Sequence, residues 1–240
     1  MLSLRSLAAI ALFPIASATL AQDATPGAMG TSSISGTVKF TGAPSKAEAL
    51  NMSSDPACGA SHSGGVSSDA VVVDPSGGLK WAFVYVKSGL AGTYAPPKTP
   101  VVLDQVGCLF KPHVFGVQVR QKIEIRNSDA ILHNVHAMPT NNREFNLGMP
   151  MKNMKLKKKF KKPEVMVPIK CDVHAWMKCF AGVVDSPFYG VSGDDGSFSI
   201  AELPAGTYTL EAWHETFGTA TQEVTVGDGE AKSIEFSFAG

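Results

Sequence analysis

Short runs of alternating apolar and polar residues occur along most of this chain, and they predict β-strands. The run ISGTVKF (34–40) alternates in this way and is followed by the turn sequence TGAPS. A later stretch, AVVVDPSGGLKWAFVYVKSG, predicts two strands joined by a Pro-Ser-Gly-Gly turn, with Trp81, Phe83 and Tyr85 on one face. Because side chains alternate between the two faces of a sheet, these runs fit strands that are buried on one side.

The middle of the chain continues this pattern. The sequence VFGVQVRQKIEIRNSD predicts two half-exposed strands, and ILHNVHAM predicts a third. EVMVPIK and CFAGVVD predict strands on either side of the sequence CDVHAWM. Residues 45–70 have no clear period, so we predict a long loop there. No segment has a long helical period, and we therefore predict an all-β protein.

The last 50 or so residues alternate between strand and turn signals. DDG (194–196) and PAG (204–206) are typical turn sequences between strands. Residues 224–226 and 234–238 flank the sequence GDG and predict a closing hairpin. Strands at such short, regular spacing predict a β-sandwich.

The composition is that of a globular protein. The chain has 240 residues, of which 44% are hydrophobic and 18% are charged, so it is long enough for one large or two small domains. Its net charge of zero argues against a nucleic-acid partner. We find no paired carboxylates or Ser-His-Asp pattern in the chain. We therefore expect no enzymatic activity.

The first residues resemble a secretory signal. Arg5 is followed by a short apolar run at 7–15 and then by small residues that suit cleavage. We predict a signal peptide at 1–21 and a linker at 22–33. The apolar run is too short to span a membrane, and no later stretch is long enough. We therefore expect a periplasmic or secreted protein in an oxidising compartment.

The sequence CDVHAWMKC places sulfur and imidazole groups at close intervals. It contains Cys171, His174, Met177 and Cys179. Three interpretations are open: a metal site, a disulfide between Cys171 and Cys179, or a strand end that is rich in sulfur. Each residue alone is more typical of packing, since Met fills cores and single histidines are often structural.

Residues 106–185 resemble the cupredoxins, the blue copper proteins. The resemblance rests on FKPHVFGVQVRQKIEIRNSDAILHNV, on the order His, Cys, His, Met, and on the amicyanin-like spacing Cys-x2-His-x2-Met in CDVHAWM. It implies one type 1 copper, because that centre uses one thiolate, two imidazoles and a weak axial thioether. The implied copper ligands are His133, Cys171, His174 and Met177. Asn134 is implied to brace the ligand loop by hydrogen bonds.

The end of the chain resembles the carboxypeptidase regulatory-like domain, a transthyretin-type sandwich. DDGSFSIAELPAGTYTLEAWH and QEVTVGDGEAKSIEFSF carry this resemblance, and SISGTVKFTG and WAFVYVKS supply similar strands earlier in the chain. The implied sandwich consists of residues 31–105 plus 186–240. The implied fold class is a cupredoxin-like Greek-key β-sandwich at 106–185, inserted in or packed beside an Ig/transthyretin-like β-sandwich.

The four cysteines allow three disulfide pairings in an exported protein. If Cys171 binds copper, our preferred pairing is Cys58 with Cys108, which leaves Cys179 as a buried free thiol. A disulfide between Cys171 and Cys179 would exclude copper binding.

Three other histidines have weaker claims to a metal. His136 lies three positions after His133, and along a strand the two side chains point to opposite faces. His62 and His113 have either surface or packing roles, or form a second metal site with each other or with Cys58.

A basic stretch that contains several methionines lies at 149–162, MPMKNMKLKKKFKK. It is either a solvated face or a docking surface for an acidic redox partner such as a cytochrome or a dehydrogenase. Its lysines are Lys152, Lys155, Lys157, Lys158, Lys159, Lys161 and Lys162. Met149, Met151 and Met154 offer thioethers, which are soft ligands that select Cu(I).

These observations favour an exported type 1 copper protein that carries single electrons between redox partners. Two alternatives remain open from the sequence. One is a periplasmic copper-binding and delivery protein, which the methionines favour. The other is a metal-free β-sandwich that binds carbohydrate or protein, with the cysteines as disulfides.

Overall fold

The computed structural model describes residues 25–43 and 46–240. The predicted signal peptide at 1–21 lies outside the described residues. Within them the chain forms one short helix, α1 (Pro56–Ser61), and four β-sheets. The strands are β1 (Ser32–Thr41), β2 (Phe83–Ser88), β3 (Val101–Gln105), β4 (Phe110–Lys111), β5 (Val114–Gln118), β6 (Ile123–Asn127), β7 (His133–Ala137), β8 (Phe145–Met149), β9 (Met154–Lys158), β10 (Glu164–Lys170), β11 (Lys178–Val184), β12 (Tyr189–Val191), β13 (Ser197–Leu203), β14 (Gly206–His214), β15 (Gly218–Val226) and β16 (Ala231–Ala239). α1 is too short to cross a membrane, and no other described segment forms a long apolar helix.

Two of the sheets form what we call the split sandwich. One has the order β13-β1-β16 and the other the order β12-β2-β14-β15. Alternate residues of these strands point inward and form a common core around Ile34, Leu79 and Leu210. Tyr208 is buried beside this core, and its hydroxyl donates a hydrogen bond to the carbonyl of Pro204 over 2.7 Å. The predicted all-β fold is confirmed by this pairing.

The other two sheets form what we call the inserted sandwich. Their orders are β5-β11-β10-β7-β8 and β4-β3-β6-β9. The chain enters this unit after β2 and returns to the split sandwich at β12, so the second unit is inserted in the first. We predicted a boundary at residue 105, but β3 pairs in parallel with β6 and belongs to the insert. Met52 and Cys58 also pack on the core of the insert, not on that of the split sandwich.

The predicted loop at 45–70 contains the helix α1. Asp55 is its N-cap, and the Asp55 side chain accepts hydrogen bonds from the backbone N–H groups of Ala57 and Cys58. Pro56 suits the first helical position because it needs no backbone donor there. A helix of six residues is too short to produce a helical period, which is why the pattern of the sequence did not predict it.

The two sandwiches pack together through strands β5 and β11. We predicted β5 as half exposed, but every residue of it is buried. One face of β5 lies on the core of the insert, while Val114 lies in a separate cluster with Phe83 and Val184. Gln118 is also buried, and its side-chain amide donates hydrogen bonds to two backbone carbonyls, those of Tyr94 and Asp185, which lowers the cost of its burial. The alternation in the sequence does not reveal a second covered face.

Two further predictions about strands were wrong. The expected closing hairpin does not form, since β15 pairs with β14 and β16 pairs in parallel with β1 in the opposite sheet. The first half of AVVVDPSGG forms a single bridge between Val73 and Leu79 instead of a strand. A partner far away in sequence, β1, decided the first of these outcomes.

Glycine is required where β11 meets the split sandwich. A Cβ atom at Gly182 would lie 2.5 Å from the buried ring of Phe83. We expect Gly182→Ala to lower the free energy of unfolding by about 1–3 kcal/mol, because the ring has no space to move. Urea unfolding measures this loss. In the matched variant Gly148→Ala the new methyl group meets nothing within 4 Å, so equal losses in both variants would contradict the prediction.

Candidate metal centre

The loop between β10 and β11 is closed by its own backbone. The N–H of Cys171 donates to the carbonyl of Met177 over 3.1 Å, and the N–H of Met177 donates to the carbonyl of His174 over 2.9 Å. This short loop brings a thiol, an imidazole and a thioether together, and all three side chains are buried. His133 begins β7, which pairs with β10, and so lies at the same end of the sheet.

The nitrogen and sulfur atoms of three predicted ligands converge. Nδ1 of His133 lies 2.9 Å from Nδ1 of His174. Sγ of Cys171 lies 3.9 Å from Nδ1 of His174. The ligand atoms of these three residues all lie within 4.8 Å of one another. Met177 is fully buried in the same hydrophobic cluster as Cys171. The structure therefore brings the four predicted ligands to one end of the insert.

Each of the two imidazoles is oriented by a carboxylate. Nε2 of His133 lies 2.9 Å from Oδ2 of Asp129, and Nε2 of His174 lies 3.2 Å from Oδ2 of Asp55. A carboxylate only accepts hydrogen bonds, so it holds the imidazole proton on Nε2 and leaves a lone pair on Nδ1. Two such lone pairs 2.9 Å apart repel each other, and a cation bound by both removes that repulsion.

Burial and hydrogen bonds set the charge state of His133 and of the two supporting carboxylates. Burial lowers the pKa of His133 below its ordinary value, although Asp129 acts in the opposite direction. Burial alone would raise the pKa of Asp129, but hydrogen bonds from Cys108 N–H, His133 and Gly107 N–H hold it below its ordinary value. The hydrogen bond with His174 is the main cause that lowers the pKa of Asp55. Two imidazoles, a thiol and a thioether form a donor set that fits copper.

Asn134 connects the ligand loop to β7. Its Oδ1 accepts hydrogen bonds from the backbone N–H of Asp172 over 2.7 Å and from the thiol of Cys171 over 3.2 Å. Its Nδ2 donates to Oδ1 of Asn146 over 2.7 Å and to Asp172 over 3.0 Å. The buried amide therefore connects the start of the loop to the neighbouring strand, and the bracing role that the resemblance implied stays a prediction.

The other cysteines have separate roles. Cys58 and Cys108 form a disulfide with a Cα–Cα distance of 5.6 Å, which is the pairing that the sequence favoured. Cys171 and Cys179 are both buried free thiols and are not joined to each other. Burial raises the pKa of the Cys179 thiol well above its ordinary value, so this thiol stays protonated and inert.

The remaining histidines lie outside the candidate centre. His136 points away from His133 and pairs with Asp172 and Glu144 at the surface. Nε2 of His62 lies 2.6 Å from the carbonyl of Gly107. His113 pairs with Glu215 of the split sandwich. The structure therefore gives His62 and His113 different partners, and Cys58 is already oxidised, so a second site from these three is not assembled.

Sequence reasoning missed Asp55, Asp129 and Trp176. The indole N–H of Trp176 donates to the carbonyl of Cys108 over 3.0 Å, and its ring centroid lies 5.0 Å from that of His174. The Asp-Pro sequence at 55–56 is an N-cap signal from which Asp55 could have been found. Asp129 precedes His133 by four residues, but nothing in the sequence tells which side chain it faces.

The three methionines of the basic stretch differ in burial and in contacts. Met149 is buried, and its sulfur accepts a hydrogen bond from Gln105 over 3.0 Å. Met151 is 63% exposed. Met154 packs against the core of the insert from β9.

The lysines of the same stretch divide between different surfaces. Lys155 and Lys157 are exposed at alternate positions of β9, so they share its outer face. The ammonium of Lys158 lies 5.3 Å from the ring centroid of Phe145 on the other face. Lys161 lines a cleft between the two sandwiches. β9 therefore presents two exposed lysines on one face, and Lys152, Lys159, Lys161 and Lys162 are exposed outside this strand.

Residues 183–239 match the family model of the carboxypeptidase regulatory-like domain. This match covers β12 to β16 of the split sandwich and the end of β11. No curated protein matches this chain.

Solved structures similar to this chain include copper proteins. A Cu-containing nitrite reductase from Thermus scotoductus SA-01 is 21% identical with a TM-score of 0.35, over 42% of this chain and 25% of that chain. A purple cupredoxin from Nitrosopumilus maritimus is 15% identical with a TM-score of 0.30, over 35% of this chain and 98% of its own. A reduced amicyanin variant is 22% identical with a TM-score of 0.32, over 36% of this chain and 84% of that chain. This chain spans a quarter of the nitrite reductase. At these identities and scores, the interpretation of the site rests on its own geometry.

Removal of the Asn134 amide tests whether it holds the ligand loop. We expect Asn134→Ala to lower the free energy of unfolding of the metal-free protein by about 1–3 kcal/mol, since buried groups lose their partners. Urea unfolding measures this. The exposed Asn146, which bonds the same amide, is the control, and Asn146→Ala should cost less than about 0.5 kcal/mol. Equal effects of the two changes would contradict the bracing role.

Proposed function

We propose that this chain is an exported type 1 copper protein that carries single electrons between redox partners and transforms no substrate. The observation that carries the proposal is the convergence of two Nδ1 atoms and one thiol sulfur within 4.8 Å. The Nε2 atoms of both histidines are already engaged by carboxylates, so both Nδ1 atoms are left for a metal. This residue set, with a buried thioether on the same loop, is that of a blue copper site.

In this proposal each residue has a defined task. The Nδ1 atoms of His133 and His174 and the thiolate of Cys171 bind the metal, and Met177 supplies the weak thioether ligand. A copper ion held by these residues would supply one-electron chemistry. Cys171 must lose the proton that it donates to Asn134, since only a thiolate binds the metal. Burial of all four side chains excludes water and limits rearrangement between oxidation states.

Burial also favours electron transfer over copper delivery. His133 is 0% exposed and His174 is 2% exposed, so neither histidine offers an open edge for exchange of the ion with another protein. Met149 is buried, whereas Met151 is exposed, so the thioethers of the basic stretch do not form a Cu(I) site together. A metal-free binding sandwich does not account for the two Nδ1 lone pairs that face each other.

Copper loading of two cysteine variants tests the proposal. We expect the wild-type protein with Cu(II) to have an intense blue absorption band and narrow hyperfine splitting in electron paramagnetic resonance, because a thiolate overlaps strongly with the metal. Cys171→Ser should abolish the band, since serine provides no thiolate. Cys179→Ser is the matched control and should keep it, because the Cys179 thiol is buried and protonated.

The possible results separate the alternatives. Colourless copper with wide splitting would favour a carrier, and no copper binding would favour a metal-free sandwich. Loss of the blue band in Cys179→Ser as well would contradict the proposed ligand set.

We propose that the outer face of β9 docks an acidic redox partner. Lys155 and Lys157 project from this face, and Arg126 lies beside Lys155 on the neighbouring strand. The chain has no net charge, so any attraction for an acidic protein arises locally. Glu124 lies opposite Lys157 and forms an ion pair with Arg126 over 2.7 Å, so the two lysines carry the positive charge of this face.

Electron-transfer kinetics with an acidic c-type cytochrome test this surface. We expect Lys155→Gln/Lys157→Gln to lower the bimolecular rate constant by at least about threefold at low ionic strength, because two attractive charges are lost. The difference should vanish at high salt. The control is Lys46→Gln/Lys98→Gln, which changes the net charge equally at exposed sites elsewhere. An equal decrease in the control would contradict docking at β9.

A further inference from the structure

We propose that Asp55 and Asp129 are positioning residues for the two histidines, and that the Cys58–Cys108 disulfide joins them into one supporting unit. The inference rests on the proposed copper site and adds the residues that orient its two histidine ligands. Each half of the disulfide supports one carboxylate, and each carboxylate orients one imidazole.

The first half of this unit runs from Cys108 to His133. The Asp129 carboxylate accepts the backbone N–H of Cys108 and the backbone N–H of Gly107, both over 2.8 Å. Both donors have a left-handed backbone, with φ of 62° at Gly107 and 56° at Cys108. Cysteine rarely adopts this conformation, so the surrounding structure has to hold it. The disulfide bond and the two hydrogen bonds to Asp129 do so, and Asp129 in turn fixes Nε2 of His133.

The second half runs from Cys58 to His174, and here too a carboxylate accepts backbone N–H groups and contacts one imidazole. The Asp55 carboxylate is the N-cap of α1 and accepts the backbone N–H of Ala57 over 2.9 Å and that of Cys58 over 3.3 Å. Its other oxygen lies 3.2 Å from Nε2 of His174. The helix therefore covers the candidate centre and holds an anion against the imidazole.

The Cys58–Cys108 disulfide links the two halves covalently. It is buried, and it joins segments 50 residues apart in sequence. Trp176 adds a third connection, because its indole N–H donates to the carbonyl of Cys108 and its ring lies against His174. If the disulfide is absent, α1 and the Cys108 turn lose their covalent link, and Asp55 and Asp129 are no longer held at a fixed separation.

This arrangement has two consequences for a bound metal. It keeps both protons on Nε2, so both Nδ1 lone pairs face the metal before it arrives. It also places two anionic carboxylates behind the ligands, and these favour the ion of higher charge, Cu(II), over Cu(I). Removal of either carboxylate should therefore weaken Cu(II) binding and raise the reduction potential.

The test uses the full chain with Cu(II) and measures three properties of each variant. These are the Cu(II) dissociation constant against a competing chelator, the reduction potential, and the hyperfine splitting. We expect Asp129→Asn and Asp55→Ser to weaken Cu(II) binding about 10- to 100-fold. Serine is a good N-cap, so Asp55→Ser keeps the end of α1 while it removes the carboxylate. The potential should shift upward and the splitting should change in both variants.

Asp74→Asn is the matched control. Asp74 also accepts backbone N–H groups in a turn, those of Ser76 and Gly78, but it lies in the split sandwich and contacts no histidine. It should leave the three copper properties unchanged. The double variant Cys58→Ser/Cys108→Ser should weaken Cu(II) binding in the same direction as the aspartate variants, and circular dichroism reports whether it is folded.

The outcomes distinguish this inference from the proposed function. If the wild-type protein does not form a blue site, the proposed function fails. If the wild-type protein is blue but both aspartate variants bind Cu(II) within twofold of it at an unchanged potential, the positioning role fails and the copper site remains. A change of similar size in Asp74→Asn would mean that the aspartate variants act by general destabilisation, and this result would overturn the inference.

Discussion

The hydrogen bonds between two carboxylates and two buried imidazoles are the interactions on which the candidate centre depends. Without Asp55 and Asp129, neither His133 nor His174 would have a fixed tautomer or a fixed ring orientation. Buried imidazoles that lack partners are costly, so these bonds also make the burial of the histidines tolerable. They turn a cluster of polar groups inside a hydrophobic core into a preorganised set of metal ligands.

The split sandwich gives this centre a rigid base. Strands β5 and β11 are covered on both faces, because the split sandwich lies against the side that would otherwise face water. The side chain of Glu215, from the split sandwich, is 8% exposed and pairs with His113 and with Lys178, the residue that directly follows the ligand loop. Hydrogen bonds from these two residues lower the pKa of Glu215 against the effect of burial. The two units therefore support the same end of β11.

The sequence predicted most strands and the residues that converge, but it did not predict their surroundings. Alternation gave β1, β6, β7 and the four long strands that end the chain, because one face of each strand lies against a core. It failed for β5 and for the closing hairpin, where a distant sheet decides burial and pairing. It also missed α1, Asp55 and Asp129, since their role appears only when segments far apart in sequence meet. The ligand spacing was informative because one short loop carries three of the four side chains.

By itself the sequence determined an all-β chain, a thiol–imidazole–thioether loop and a distant histidine on a strand, because these depend on local alternation and spacing. Only the tertiary structure decided that the two Nδ1 atoms lie 2.9 Å apart with carboxylates behind them. It also decided which cysteines are oxidised and which face of β5 is covered. The physical reason is that hydrogen bonds, disulfides and sheet pairing between remote segments depend on distances in space, and a local sequence pattern does not contain those distances.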